Sequence, residues 1–428
     1  QMGELSDIGR AMAQIPVSPR QARMLIAASV SGIKNCMVYA IAMCAGLGMD
    51  SPFLKHVEAN DSEEKNEEEK KPSVPPPHIK FHHVNSDALT VMQCLLAYDQ
   101  FVQANGPSKA YMFCQENRLH ERTMREMSDL RKQLLRILFR IGLIDEDELA
   151  QKISLSKLVI KPNSDLDKAL RKALCCGWID KVARRSKQKE LEQYARDAEI
   201  RGENIDSMSR SSKALRYKPA FDSLSNGSGV DNNRPVFLHP SSALHKTASE
   251  FIVYNDLIQT QKRPYVVGAT RVEPSWLLQS DCLLEGMDRV LDDPIPRYAP
   301  NRDQVVCWVA PRFGPHLWEL PLKALDVTEL EKAVGPFATA LLLGNVFECF
   351  AEIKDKYAAK PILCSRIEGR SQPRVQNLLY ALKKKGVCTK EKLVQEFVRN
   401  RNYLRKEISA WLKAGKSHTL DNIWGKWK

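Results

Sequence analysis

No C-x-x-C pair occurs among the eleven cysteines and no H-E-x-x-H among the nine histidines, so the common spacings of zinc sites are missing. The cysteines are odd in number and scattered, with one adjacent pair at Cys175-Cys176. That pattern does not make a disulfide framework and fits a reducing compartment. No run of eighteen apolar residues is present. The longest, Met37 to Leu47, is too short to span a bilayer and lies too far into the chain for a signal peptide. Also missing are a D-E-A-H quartet, a Ser/His/Asp spacing suited to acyl transfer and a paired-carboxylate pocket. Asp145-Glu146-Asp147-Glu148 reads as a helix start, Asp292-Asp293 as a solvated turn, and His82-His83 as ordinary surface or core histidine. No metal or cofactor site is therefore expected in this chain. One pattern imitates a nucleotide loop, Ala410-Trp-Leu-Lys-Ala-Gly415-Lys416-Ser417. A working phosphate loop needs a strand before it and a helix after it. Here a helical stretch precedes it, and Gly415 reads as a helix-terminating glycine.

What is present is size, charge and punctuation. At 428 residues the chain has room for two to four domains, and 43% hydrophobic with 27% charged residues is ordinary for a globular protein. The opening Gln1-Met-Gly-Glu-Leu5 resembles a cut into a longer protein. The net charge of +12 is concentrated: residues 365–428 hold 16 Lys/Arg against 5 Asp/Glu, a surplus of +11. Such a tail favours polyanionic partners, RNA or acidic protein, and no lipid-facing amphipathic helix argues for a membrane.

The spacing of apolar residues predicts a helix capped by Ser6, a second over Arg20 to Val30 after Pro16 and Pro19, and a buried helix over Asn35 to Leu47. A charge run from Asn60 to Pro72, closed by Pro75, Pro76 and Pro77, is expected to be a disordered acidic insert. Helical periodicity resumes over Ser86 to Asn105, Met112 to Gly142 and Asp145 to Lys157. Leu119, Met124, Met127, Leu130, Leu134, Leu135, Leu138 and Ile141 form its buried stripe. Ala173 to Ala183 shifts toward strand, 184–233 reads as a polar insert, and alternating strands follow to Val272. Residues 281–364 read as a small extra domain, and a helical tail starts at Gln372. The expected divisions are 1–35, 36–165 with its insert at 58–78, 166–280, and 281–428.

The most informative stretch is Val236-Phe-Leu-His239-Pro240-Ser241-Ser242-Ala-Leu244, followed by Phe251 to Val267. It reads as three short strands with basic and hydroxyl residues at their turns. Ser241, Ser242, His245 and Lys246 sit at one turn; Thr260, Gln261, Lys262 and Arg263 sit at the next. A small barrel that holds single-stranded nucleic acid uses cations to neutralise phosphates, hydroxyls to donate to phosphate oxygens and aromatics to stack on bases. Tyr254 and Tyr265 are candidate stacking residues or half-buried sheet residues.

This stretch resembles the oligonucleotide-binding (OB) fold of DEAH-box RNA helicases, and further phrases agree in order. Leu5-Ser6-Asp7-Ile8-Gly9-Arg10 and Pro16-Val-Ser-Pro19-Arg20 resemble the family's winged-helix phrase L-T-x-L-G-R with x-P-x-x-P-R. Ser86-Asp87-Ala88-Leu89-Thr90 resembles G-D-H-L-T, Phe113-Cys114-Gln115-Glu116-Asn117 resembles W-C-x-x-N, and Leu130-Arg131-Lys132-Gln133-Leu134 resembles V-R-x-Q-L. Ala173-Leu-Cys-Cys-Gly177-Trp178 and His239-Pro240-Ser241-Ser242 complete the series. Ala88 stands where the family has histidine and Phe113 where it has tryptophan. With its long inserts and extra domain, the chain looks most like the nucleolar family member of small-subunit ribosome assembly.

The resemblance implies a multidomain α+β chain: a winged-helix remnant, a ratchet-like helical bundle, an OB-fold β-barrel and a basic C-terminal α/β domain, without the RecA-like motor domains. It implies a parent protein that uses ATP and Mg, acts in the nucleus and nucleolus, and separates small nucleolar RNA from pre-ribosomal RNA. The implied partners are single-stranded RNA, an activator protein of the small-subunit processome and the missing motor domains; this chain alone is expected to be inactive. RNA contacts are expected from Asn117, Arg118, Arg122 and Arg131 on the bundle, and from Ser241, Ser242, Lys246, Thr260, Lys262 and Arg263 on the barrel. Arg131 has an interdomain structural role as its alternative. The alternative for the whole chain is a non-catalytic platform for ribosome-assembly cofactors with minor RNA contact.

Overall fold

In a computed structural model of the chain, the described residues are 5–54, 77–150, 159–200, 215–221, 235–260, 263–424 and 426. The chain divides into two compact units, Gln1–Cys282 with Gly314–His316, and Leu283–Phe313 with Leu317–Lys428. The expected acidic insert lies outside the described residues, as does most of 184–233.

Among the described residues, the first unit begins with the α-helices α1 (Asp7–Ala13), α2 (Pro19–Ser29), α3 (Cys36–Leu47), α4 (Asp87–Asn105), α5 (Ala110–Asn117), α6 (Glu121–Arg140), α7 (Glu146–Ala150) and α8 (Asp165–Gly177). Serine starts many of them. Ser6, Ser86 and Ser164 each accept from a backbone N–H three residues on, and Ser18 forms a full capping box with Gln21 ahead of Pro19. Helix α3 is apolar on every face, with Cys36 to Gly46 buried, and forms the axis on which α2, α4 and α6 pack. Helix α2 lies so close to α8 that a Cβ on Gly177 would stand 2.5 Å from the Arg20 carbonyl oxygen.

Two expected boundaries move. The helix expected over 112–142 is two helices, because Arg118 adopts a left-handed φ of 51° and Leu119 bridges to Phe53. Residues 173–177 belong to α8 rather than a strand: Leu170, Ala173, Leu174 and Gly177 recur at helical spacing on its buried face.

The barrel follows as β1 (Val182–Arg185), helix α9 (Gln188–Ile200), β2 (Arg216–Pro219), β3 (Val236–Leu238), β4 (Phe251–Val253), β5 (Asp256–Gln259), β6 (Pro264–Val267) and β7 (Thr270–Val272), closed by α10 (Pro274–Leu277). Helix α9 and strand β2 lie inside the region expected to be a polar insert. The strand order is β5-β6-β3-β2-β1-β4-β7, antiparallel except where β3 pairs with β6. Ala183, Tyr217, Leu238, Leu244, Ile252 and Val266 fill its core.

The second unit holds β8 (Leu284–Glu285), β9 (Arg297–Ala299), β10 (Gln304–Val309), β11 (Arg312–Phe313), β12 (Trp318–Glu319) and β13 (Lys323–Asp326) in two three-stranded sheets. Helices α11 (Leu330–Leu343), α12 (Pro373–Lys385), α13 (Lys390–Arg399), α14 (Arg405–Ser409) and α15 (His418–Asp421) follow, with Phe337, Phe350, Phe397 and Trp411 in their core. Gly415 has a φ of 78° in a turn six residues beyond α14, with no strand ahead of Lys416.

Bundle and barrel of the first unit are joined through Asp87, the first residue of α4. Its carboxylate accepts from the Ser242 hydroxyl at 2.8 Å, Ala243 N–H at 2.8 Å and Ala269 N–H at 2.9 Å. Beside it, Ser86 Oγ meets Thr270 Oγ1 at 2.8 Å, and the Asp87 N–H donates to the Ala269 carbonyl. A second tie is the buried pair Asp167–Arg171. Arg171 donates twice to the carboxylate at 2.8 Å, reaches the Arg271 carbonyl at 3.0 Å and lies over the Trp276 ring. Burial works to raise the Asp167 pKa, yet the hydrogen bonds and charge of Arg171 hold it below the usual carboxylate range. Burial keeps the neighbouring His83 below its ordinary pKa.

Asp87→Ala leaves three donors without their acceptor and is expected to cost about 3 kcal/mol or more in urea denaturation. Desolvation outweighs the three hydrogen bonds and raises the Asp87 pKa from 3.8 to about 6. The folded state then holds the proton more tightly than the unfolded chain. This group's contribution is greatest below pH 3.8 and declines as pH rises to about 6. The stability difference between wild type and Asp87→Asn should therefore change with pH only across that window.

Candidate RNA interface

Three features of the barrel and one of the bundle bear on RNA. The first is the turn after β3. Ser241 is exposed, its Oγ lies 2.6 Å from His239 Nδ1, and its N–H points to the same nitrogen at 3.2 Å. The His239 ring meets Tyr265 edge-on at 5.7 Å, which braces the turn against β6. Ser242 is 7% exposed and its hydroxyl is spent on Asp87, so it anchors the turn instead of facing solvent. Lys246 ends the short 3-10 segment Ala243–Lys246 on the same turn.

The second feature is the β5–β6 hairpin. Thr260 Oγ1 donates to the Arg263 carbonyl at 2.7 Å and accepts from its N–H at 3.1 Å, which pinches the hairpin shut. Lys262 lies outside the described residues. The Arg263 guanidinium lies over the Phe237 ring at 4.8 Å, a cation–π contact that holds the charge at the sheet surface.

The third feature was not among the expected contacts. Arg185, Ser186, Lys187, Arg216 and Glu250 line a cleft of about 480 Å³ where β1 runs into α9. Glu250 pairs with Arg184 at 3.0 Å, so the cleft itself is lined chiefly by cations. Arg216 stands opposite Phe237 in the β2–β3 ladder, and Arg263 covers the same ring. Desolvation and the charge of Arg263 both press the Arg216 pKa down. The cleft and the hairpin thus make one basic strip. Its trace in the sequence is the basic alternation in Val182-Ala-Arg-Arg-Ser-Lys187 and Leu215-Arg-Tyr-Lys218, hidden by the polar residues around it.

On the bundle the expected residues separate. Arg118 and Arg122 are exposed, Arg122 paired with Glu126 at 2.8 Å. Asn117 is 1% exposed and donates to the Phe113 carbonyl at 2.7 Å, so it holds the end of α5 from inside. Arg131 bonds Asp99 of α4 at 2.7 Å, with Ser128 donating to the same carboxylate at 2.5 Å. That is a largely covered ion pair between α6 and α4, the two side chains 13% and 14% exposed. Tyr254 is a core residue at 1% exposure; Tyr265 is half-buried.

Comparison with known proteins places these parts. Residues 18–91 match the ratchet-like helicase-associated domain (HA2), residues 170–280 match an oligonucleotide/oligosaccharide-binding fold, and residues 349–428 match the C-terminal domain of the DEAH helicase DHX37. The chain is homologous to the C-terminal region of DEAH-box ATP-dependent RNA helicases. It is 31% identical to the ATP-dependent RNA helicase DEAH13 of Arabidopsis thaliana, over 99% of this chain and 34% of that protein. It is 29% identical to a protein named a probable ATP-dependent RNA helicase, DHX37 of Homo sapiens, over 98% of this chain and 33% of that one. The chain thus spans about a third of the length of the curated relatives it matches. None of the three matched families is a motor domain.

Arg131→Leu strands the Asp99 carboxylate and is expected to cost about 2–3 kcal/mol in denaturant melts. RNA affinity under native conditions should stay within about twofold, in contrast to changes at the exposed arginines.

Proposed function

We propose that this chain is the RNA-gripping and regulatory C-terminal module of an ATP-dependent DEAH-box helicase that separates small nucleolar RNA from pre-ribosomal RNA in small-subunit assembly. The observation that carries the reading is the basic strip Arg185, Lys187, Arg216 and Arg263 on a barrel homologous to OB folds. Its cations neutralise successive phosphates, and the hydroxyls of Ser241 and Thr260 donate to phosphate oxygens; Lys246 and Lys262 belong to the same two turns of the sequence. Arg118 and Arg122, exposed on the bundle, supply further phosphate contacts. Contacts of this kind read backbone, so the grip has little sequence preference. In the parent protein ATP and Mg belong to motor domains outside this chain, and the module holds the strand while those domains step. The nucleolus, the small nucleolar RNA substrate and a processome activator protein are part of this proposal.

Affinity for a single-stranded oligonucleotide, titrated against salt, tests it. Counterion release gives a slope of roughly 0.7 per phosphate contact on single strands, so about four contacts give a slope near 3. Arg185→Ala with Lys187→Ala should lower that slope by roughly 1.4. A flat salt response would favour the protein-platform reading. The chain by itself is expected to show no RNA-stimulated ATP hydrolysis; activity that disappears on Lys416→Ala would sink that expectation.

A further inference from the structure

Two stretches of the second unit carry cations and no acid. Residues 372–390 hold five Lys/Arg and residues 397–406 hold four, with no aspartate or glutamate in either. The fold brings the two together at the C-terminal end of α12. The Tyr403 hydroxyl donates to the Ala381 carbonyl at 3.0 Å, and Lys392 Nζ reaches the Gly386 carbonyl at 3.5 Å. Glu396 of α13 is 8% exposed and holds both Lys385, at 3.4 Å, and Arg399, at 2.7 Å. One covered carboxylate therefore anchors two cations and neutralises a single charge.

Glu331 takes Lys383, and Asp421 takes Arg405. Lys384, Lys392 and Arg401 are exposed and have no ion pair among the described residues; the exposed acid on α12 and α13 is Glu391, beside Lys392. Lysines in the last turn of α12 offset its dipole, which is a structural reason for Lys384. That reason does not extend to Arg401, which lies in the turn between α13 and α14. The turn is fixed: the Arg401 carbonyl accepts from Trp424 Nε1 at 2.8 Å, and the Asn402 N–H donates to Asn400 Oδ1 at 3.0 Å. One helical turn before Lys384, on the same face of α12, Tyr380 is 66% exposed.

We propose that this surface of the second unit is a further contact for single-stranded RNA, in which Lys384, Lys392 and Arg401 meet phosphates and Tyr380 stacks on a base. It goes beyond the barrel strip and does not depend on it. Charge fixes the sign of the partner, and the arrangement favours its class. Cations without carboxylate partners, presented from three segments, suit a polymer with one charge in every unit, and an exposed ring offers a face to its bases.

Anisotropy of a labelled oligouridylate on the full chain tests it, in the wild type and in the Arg185→Ala/Lys187→Ala variant, so that losses at the barrel and at α12 are read separately. In either background Lys384→Ala with Arg401→Ala should lower the salt slope by roughly 1.4. Lys384→Glu with Arg401→Glu should weaken binding about tenfold or more, and Tyr380→Ala, which keeps all charges, about fivefold. Arg289→Glu with Arg312→Glu makes the same charge change at the strands and should stay within about twofold. Circular dichroism of each variant separates lost binding from lost folding. The proposal is overturned if folded variants at 380, 384 and 401 keep wild-type affinity, or if the control pair weakens binding as much as Lys384→Glu with Arg401→Glu. It is also overturned if polyglutamate binds more tightly than oligouridylate and loses affinity on the same substitutions, which would make the surface a site for acidic protein.

Discussion

The carboxylate of Asp87 has three donors on the barrel and one backbone on the bundle. It receives Ser242, Ala243 and Ala269 while its own N–H returns a hydrogen bond to Ala269. A single side chain therefore sets the turn that bears Ser241 and Lys246 relative to α4, and through α4 relative to α5, which Arg118 terminates, and α6, which carries Arg122. Because the group is largely desolvated, each donor matters more than it would in water. The Asp167–Arg171 pair does the same at β7 and α10, so barrel and bundle are tied at two places. In the proposed function this stiffness has a purpose, since a strand held along its backbone is held firmly only if the charges that meet it keep their spacing.

Two cations of the barrel have supports other than carboxylates. Arg263 rests on Phe237, and Arg185 donates to the Ala248 carbonyl. Such supports orient a guanidinium without themselves neutralising it. Arg131 and Arg171, locked onto Asp99 and Asp167, show the other use of arginine: charge consumed inside the fold.

Much of this was legible in the chain. The cap at Ser6, the proline breaks at Pro16 and Pro19 and the apolar run at 36–47 located the first helices, because those signals are local. The hydroxyl-rich turn after His239 and the alternation through Val272 located the later strands. What was not legible depended on tertiary partners. Asn117 and Arg131 look like surface polar residues in sequence, and only the packing of α5 and α6 on α4 buries the first and largely covers the second. Ser241 and Ser242 are adjacent and chemically alike, yet one faces solvent and the other faces Asp87, 155 residues away in the chain. The strand β2 escaped because Arg216 and Lys218 mask the buried Tyr217, and with it escaped the cationic cleft.

The central claim is that single-stranded RNA is gripped along the barrel's basic strip. A residue-level crosslinking map of the full chain to a photoreactive single-stranded RNA tests it most directly. The account predicts crosslinks at 185–187, 216, 239–246 and 259–263, and none at Asn117 or Arg131. Crosslinks confined to residues 365–428, with the barrel silent, would contradict it.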